Sequence, residues 1–353
     1  MITPNTPATL YTILAKKTLK GGEIELSVQI PAKLFSLRYT RLLADAHKEF
    51  ELPGFRKGNV PENMFKSHVH EGPLLERAAY DTLDNIMPTL VNKEDVFPMV
   101  VPEVRITKLA LGNPLECVVT IAPFPTITLP DYKKIARGVV EKASPAVVVD
   151  DSEVDKLIDQ VRGMRAAAPA AEAGTTTPAL PEITDEFVRG LGAFKDVADF
   201  RAKLKENISL EKEYDARIAR REKIAEALIE KTKFAIPAIV VRRESEAMDE
   251  RFNQELVRLG ITREEHLKKI GKTNETLVKE RETHIERQLR TRLIYDAVAK
   301  AERILVSDEE AYAEAAQLQS RYPDMKALEL QNYAVILLTN MKVVELLEKS
   351  KGS

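Results

Sequence analysis

At 353 residues the chain exceeds what one hydrophobic core usually serves, so two or more domains are expected. Its 53 Lys and Arg nearly balance 55 Asp and Glu, leaving a formal charge of −2; a general nucleic-acid binder is disfavoured and any RNA contact must be local. Aromatic residues are 6% of the chain and tryptophan is absent, which suits long solvated helices better than a dense globular core. The single cysteine, Cys117, lies in an apolar run over residues 115–121. It rules out an internal disulfide, agrees with a reducing cytoplasm and reads as a small buried hydrophobe. The N-terminus has no basic patch followed by an apolar core, and no apolar run is long enough to span a bilayer. The expectation is a soluble, cytoplasmic protein with no membrane partner.

Residues 10–18 and 23–30 read as strands around a turn at Lys20, Gly21 and Gly22. Ile24, Leu26, Val28 and Ile30 alternate with polar residues, the period of a half-buried strand. Pro31 is expected at the first position of a helix running to about residue 50. Leu34, Leu37, Arg41, Ala44 and Lys48 trace one side of it, and Leu42 and Leu43 deepen the apolar stripe. Residues 53–61 then read Pro-Gly-Phe-Arg-Lys-Gly-Asn-Val-Pro. Gly54 and Gly58 allow backbone angles closed to other residues, while Pro53 and Pro61 stiffen the flanks. Such a tip pushes Phe55, Arg56 and Lys57 outward. Two readings stand side by side: a docking surface for an anionic partner that also offers an apolar notch, and an ordinary interhelical loop with two solvated charges. A helix over residues 73–91 follows, then strands over 99–109 and 115–121, the latter after an Asn113-Pro114 turn. The sum is an α+β domain with the loop between its helices.

Residues 123–150 are punctuated by prolines and read as mostly extended. Asp150 and Glu153 frame a capping box for a short helix to about residue 168. Residues 166–181 are of low complexity, rich in Ala, Thr and Pro, and read as a flexible linker. Helices dominate from residue 181. Asp196 and Asp199 mark one start, and Phe200, Leu204, Ile208, Tyr214, Ile218, Ala225 and Leu228 recur at helical spacing. Pro237 opens the next helix, which ends near Gly260. Thr262 with Glu265 forms a capping box, and Gly271 closes that helix. Leu277, Ile285, Leu289, Leu293, Ala297 and Ala301 line a long helix, Ser307 with Glu310 caps its successor, and residues 335–347 pack the last one. These charge-laced helices fit paired arms around an open cradle and fit a compact solenoid-like bundle equally; no repeat period stands out.

Chemical signatures are few. Gly271-Lys272-Thr273 echoes the end of a phosphate loop, but position 266 is His where glycine is required, and helices flank it instead of a strand. His68 and His70 have no third ligand cluster, so they read as solvated. Gly190-Leu191-Gly192 lacks a preceding strand and a third glycine, and no local Ser/His/Asp or Cys/His signature occurs. No catalytic residue, metal site or cofactor is expected.

The loop resembles the ribosome-docking loop of the trigger factor family, which reads Gly-Phe-Arg-Lys-Gly-Lys-Val-Pro. Gly54, Phe55, Arg56, Lys57, Gly58, Val60 and Pro61 match, and Asn59 stands where the family has a third basic residue. The resemblance extends over residues 1–122 and 181–350. It implies an α+β N-terminal ribosome-binding domain (1–122), a connector and helix packing on the C-terminal domain (123–165), the linker 166–181, and an all-α domain with long helical arms (182–353). In that family an FKBP-type prolyl isomerase domain is inserted where the linker stands. Sixteen residues cannot form such a domain, since independent domains need about 50 or more. The resemblance thus implies an ATP-independent chaperone without the isomerase. It would dock beside the exit tunnel of the large ribosomal subunit, on protein and RNA, through Gly54, Phe55, Arg56, Lys57 and Gly58. It would shield unfolded or nascent polypeptides, with a homodimer left open when off the ribosome. Two rivals remain: a ribosome-free holdase or assembly chaperone, and a prolyl isomerase by family name, against which the short linker argues.

Overall fold

The computed structural model describes residues 10–142, 148–173 and 181–349, excepting the side chains of 166–173. Its contacts form two units, Met1–Ile127 with Phe234–Arg290, and Thr128–Lys233 with Thr291–Ser353.

The first unit is built on a four-stranded antiparallel sheet in the order β1-β2-β4-β3, from β1 (Thr12–Thr18), β2 (Ile24–Ile30), β3 (Glu103–Lys108) and β4 (Leu115–Ile121). The register sets Leu26 opposite Val119, Val28 opposite Cys117 and Ile30 opposite Leu115. The period of two therefore places all six on one face, where they are buried. Against that face pack α1 (Ala32–Glu49) and α3 (Glu71–Lys93), through Phe35 and Tyr39 and through Ala78, Ala79, Leu83, Ile86 and Leu90. Burial pushes the Cys117 thiol up to about 11, so it behaves as the inert small hydrophobe expected of it.

Three expectations in this region need correction. Leu37, read as part of the buried stripe of α1, is 70% exposed; the buried line runs instead through Phe35 and Tyr39, with Leu34, Leu42 and Leu43 partly covered. Both lines have helical spacing, and the larger aromatic area decides which turns inward. Pro31 is the N-cap residue of α1 and not its first helical position. The third strand is also shorter than residues 99–109. Pro102, which cannot donate to a ladder, stands directly before Glu103, where the strand begins.

The same unit takes in α8 (Ala238–Arg258), α9 (Arg263–Ile270) and α10 (Asn274–Glu302) as far as Arg290. Ile239 and Val240 bury against Ala122, Met99, Val100 and Leu289, and the Ile239 N–H donates to the Glu23 carboxylate at 2.9 Å. Arg242 pairs with Glu103. Residues 234–290 therefore share a core with the sheet region, across the boundaries drawn from sequence. Helical periodicity shows that an apolar face exists but not what covers it. The expected Thr262–Glu265 capping box is present, and Gly271 ends α9 at φ 65°.

The second unit contains α4 (Tyr132–Lys142), α5 (Asp151–Ala173), α6 (Asp185–Arg189), α7 (Val197–Lys231), α10 from Thr291, α11 (Asp308–Gln319) and α12 (Ala327–Glu348). Residues 123–150 are thus not extended throughout, since 132–142 are helical, while 143–147 lie outside the described residues. Between its prolines lies a helix that buries Ala136, and the Tyr132 hydroxyl donates to Glu302 at 2.5 Å while Lys133 pairs with the same carboxylate at 2.7 Å. Burial, then the Glu302 hydrogen bond and charge, push the Tyr132 hydroxyl up to about 12. The Asp150–Glu153 box does not close either. Asp150 accepts the Ser152 N–H at 3.0 Å, while the Glu153 carboxylate is drawn to Lys212 on α7. Helix α5 runs to Ala173, beyond residue 168, as its alanine-rich end favours. The remaining linker residues 174–180 lie outside the described residues.

Val154, Ile158, Val188 and Phe200 form the core of α5, α6 and α7, with Phe194 edge-on to Phe200 at 4.8 Å. Asp196 caps α7 by accepting the Asp199 N–H, and Tyr214 on its stripe stays exposed. On α10, Ile294 and Val298 are buried and Ala301 is exposed. Helix α12 buries Leu330, Ala334, Val343 and Leu347, and Arg221 grips its Glu348 at 2.9 Å. Val335, placed by sequence among the packed residues, is exposed together with Ile336, Leu337 and Met341.

Candidate functional site

Residues 50–61 join α1 to α2 (Glu62–His68), a short helix not anticipated from sequence. The loop stands on a small aromatic base. Phe65 is buried between His47, with ring centres 4.6 Å apart, and Phe50, edge-on at 5.2 Å. His47 Nε2 lies 2.6 Å from the Val60 carbonyl oxygen, to which the protonated nitrogen donates, and the Val60 side chain is buried. This base ties the far end of the loop to α1.

Backbone hydrogen bonds shape the tip. The Phe55 N–H donates to the Leu52 carbonyl at 3.0 Å, the Asn59 N–H to Arg56 at 2.9 Å and the Gly58 N–H to Phe50 at 3.0 Å. Gly54 and Gly58 both have positive φ, 93° and 77°. At Gly58 glycine is required twice over, because a Cβ would also sit 2.8 Å from the Lys48 carbonyl oxygen. The fold thus spends its two glycines on bending five residues outward. Phe55 is 40% exposed, a large apolar ring left in solvent, and Arg56 and Lys57 are exposed beside it. All five sequence-predicted residues, Gly54 to Gly58, share this one tip.

The two cations differ. Lys57 Nζ lies 2.5 Å from the carboxylate of Glu49, the last residue of α1, and this hydrogen bond raises the lysine above its ordinary value, with smaller help from Glu51. The Arg56 guanidinium has no hydrogen bond or ion pair among the described residues, so its planar fork is available for a bidentate grip on a carboxylate or phosphate. Sequence reading did not single out His47, Phe50, Phe65 or Glu49. The aromatics flanking the loop were a signal for the base, whereas nothing local marks Glu49 as the partner of Lys57.

The other candidates dissolve into structure. Gly271 is a helix C-cap, and Gly190 ends α6. His68 is the last residue of α2, its Nδ1 2.8 Å from the Met64 carbonyl. Among the described residues no group of three or more His, Cys, Asp or Glu could hold a metal, and no helix is long and apolar enough to cross a membrane. A second charged cluster occupies α8–α10. Arg263 holds both Asp249 oxygens at 2.8 and 2.9 Å, Arg281 reaches the same carboxylate at 2.5 Å, and Asn253, Asn274 and Ser245 take further donors of the two arginines. The Arg263 hydrogen bond, ahead of Arg281, holds the Asp249 carboxyl well below the usual carboxylate range. With these partners satisfied, the cluster is a structural tie.

Comparison with known proteins gives two family matches. The model described as bacterial trigger factor protein matches residues 13–161, and that described as its C-terminus matches residues 196–346. Trigger factor from Clostridium beijerinckii is 24% identical, with 86% of this chain and 90% of the relative covered. That from Carboxydothermus hydrogenoformans is 23% identical over 88% of this chain and 91% of the relative. A solved chain, from work on promiscuous substrate recognition in the folding and assembly activities of the trigger factor chaperone, shares the fold with a TM-score of 0.52 at 17% identity. It is covered entirely by 96% of this chain.

Proposed function

This chain belongs to the trigger factor family of chaperones, and we propose that it docks on the large ribosomal subunit beside the exit tunnel through its 53–61 loop and shields emerging polypeptides without ATP. The observation that carries the reading is a glycine-bent, hydrogen-bonded tip that leaves Phe55 in solvent beside an Arg56 with no partner among the described residues. A loop built only to connect helices has no need to pin its bend over the Lys48 carbonyl while leaving a phenylalanine outside. Phe55 serves as the apolar anchor, Arg56 as the bidentate grip and Lys57 as a point charge.

Holding of clients falls to dispersed apolar surface among charges. On α12, Leu328, Tyr333, Ile336, Leu337 and Met341 are exposed, and such patches bind many partners weakly. The protein works in the cytoplasm and is not a prolyl isomerase. Helix α5 ends at Ala173 and α6 starts at Asp185, which leaves far fewer residues than the roughly 50 an independent domain needs. A ribosome-free holdase is the second reading, favoured by Asn59 and by the pairing of Lys57, which leave the tip weakly basic.

The test replaces Phe55, Arg56 and Lys57 together by Ala and measures co-sedimentation with ribosomes beside thermal unfolding. Binding should be lost while the melting temperature stays nearly unchanged, since exposed tip residues carry little folding energy. Undiminished co-sedimentation would sink the docking reading, and a large fall in melting temperature would make the tip structural.

A further inference from the structure

We propose that Glu49 is a positioning residue of the docking loop: it holds Lys57 back against the end of α1 and leaves Arg56 as the cation presented to the partner. The inference rests on the docking reading above. It starts from the backbone. Gly58 is pinned over the Lys48 carbonyl, and its N–H is bonded to Phe50, so the neighbouring Lys57 leaves the chain directly beside the last turn of α1. There its ammonium meets the Glu49 carboxylate at 2.5 Å, with Glu51 adding a second negative charge nearby. Next to it, the Arg56 carbonyl accepts the Asn59 N–H, and the Arg56 guanidinium has no hydrogen bond or ion pair among the described residues. The two adjacent cations, equivalent in sequence, are therefore divided into one held and one free.

Solvent exposure sets the strength of this arrangement. Glu49 is 76% and Lys57 49% exposed at the side chain, and exposed ion pairs are weak. Glu49 therefore biases the loop without locking it. An anionic group on the partner must compete with Glu49 for Lys57, whereas Arg56 meets no such competitor among the described residues. Removing the carboxylate frees a second cation for docking.

Two readouts on the full chain test this, using wild-type protein, Glu49→Gln, Lys57→Gln, Arg56→Gln and the Glu49→Gln/Lys57→Gln pair. The first is the acylation rate of Lys57 at about pH 8, followed by peptide mass spectrometry. Pairing with Glu49 lowers the free-amine fraction, so Glu49→Gln should label severalfold faster. The second is ribosome affinity by co-sedimentation at low and high salt. Glu49→Gln should bind up to about fivefold tighter at low salt, with the gain gone at high salt. That gain should vanish in the Lys57→Gln background, and Lys57→Gln alone should lose less affinity than Arg56→Gln. Equal labelling of wild type and Glu49→Gln would overturn the tether whatever the ribosome data show. A gain that survives in the Lys57→Gln background would mean that Glu49 acts by its own charge, which also overturns the proposal. If wild-type protein does not bind ribosomes, the docking reading fails and takes the proposal with it, and the labelling result tells that failure apart from loss of the tether.

Discussion

The 53–61 loop and the α8–α10 segment use the same chemistry, a basic side chain against a carboxylate, in different surroundings. At Asp249 two arginines converge on one carboxylate, Arg281 is only 9% exposed, and amide and hydroxyl oxygens take up further donors. At Glu49 a single lysine meets a single carboxylate in open solvent. In the first case partial burial and several partners give a contact that three helices depend on. In the second, water competes for both groups, and the pair can exchange with a partner. Ion pairs of like chemistry thus separate into a structural tie and an adjustable surface pair by burial and number of partners.

The largest effect that could break this comparison is expected at Asp249. Asp249→Ala leaves two sheltered arginines without their anion, and removing one partner of a buried pair costs about 3–5 kcal/mol; partial exposure places this one near the low end, about 3 kcal/mol. Amide hydrogen exchange should show faster opening of α8, α9 and the first half of α10. The wild-type protein should show the same weakness in acid. Asp249 has a folded-state pKa lowered by Arg263 and Arg281, so its contribution is complete above the ordinary aspartate value of about 4. It is lost as pH falls from there toward the lower folded value. Exchange in α8–α10 that is unchanged between about pH 4 and pH 2 would show that the tie contributes nothing.

A smaller effect is expected at Gly58. Gly58→Ala combines a positive φ with a close approach to the Lys48 carbonyl, for a local strain of about 1–3 kcal/mol. The loop should loosen and ribosome affinity should fall about tenfold, while unfolding of the sheet core shifts little. Retained affinity would mean that the tip need not be held in this shape. The smallest effect is expected at Lys57. Lys57→Gln should leave the melting temperature within about a degree of wild type, because an exposed pair adds little to folding. A drop of several degrees would place the loop pair in the same class as Asp249 and erase the distinction.

Much of the architecture was legible where the signal is local. The alternation of Ile24, Leu26, Val28 and Ile30 pointed to β2, and the Thr262–Glu265 and Ser307–Glu310 boxes marked helix starts that are capped in both directions. The residues of the 53–61 loop stood out by their glycine and proline frame. Helix α4 was hidden because prolines on both flanks masked its short amphipathic run, and α2 because seven residues give too little periodicity. The buried stripe of α1 was placed one line off, since Leu37 and Phe35 both satisfy helical spacing.

What the sequence by itself determined is the set of contacts made within a few residues: strand period, caps, the bend at Gly54 and Gly58, and the outward aromatic and cations. Those follow from backbone sterics and short-range hydrogen bonds, which a local stretch of chain carries whole. Only the tertiary structure decided that Ile239 and Val240 share a core with Ala122, that Glu23 caps the start of α8, and that Glu153 leaves its own helix for Lys212. It likewise decided that Glu49 takes Lys57 and spares Arg56. In each of these, a side chain chooses among partners of equal chemistry, and the choice is settled by which of them the folded chain brings within reach.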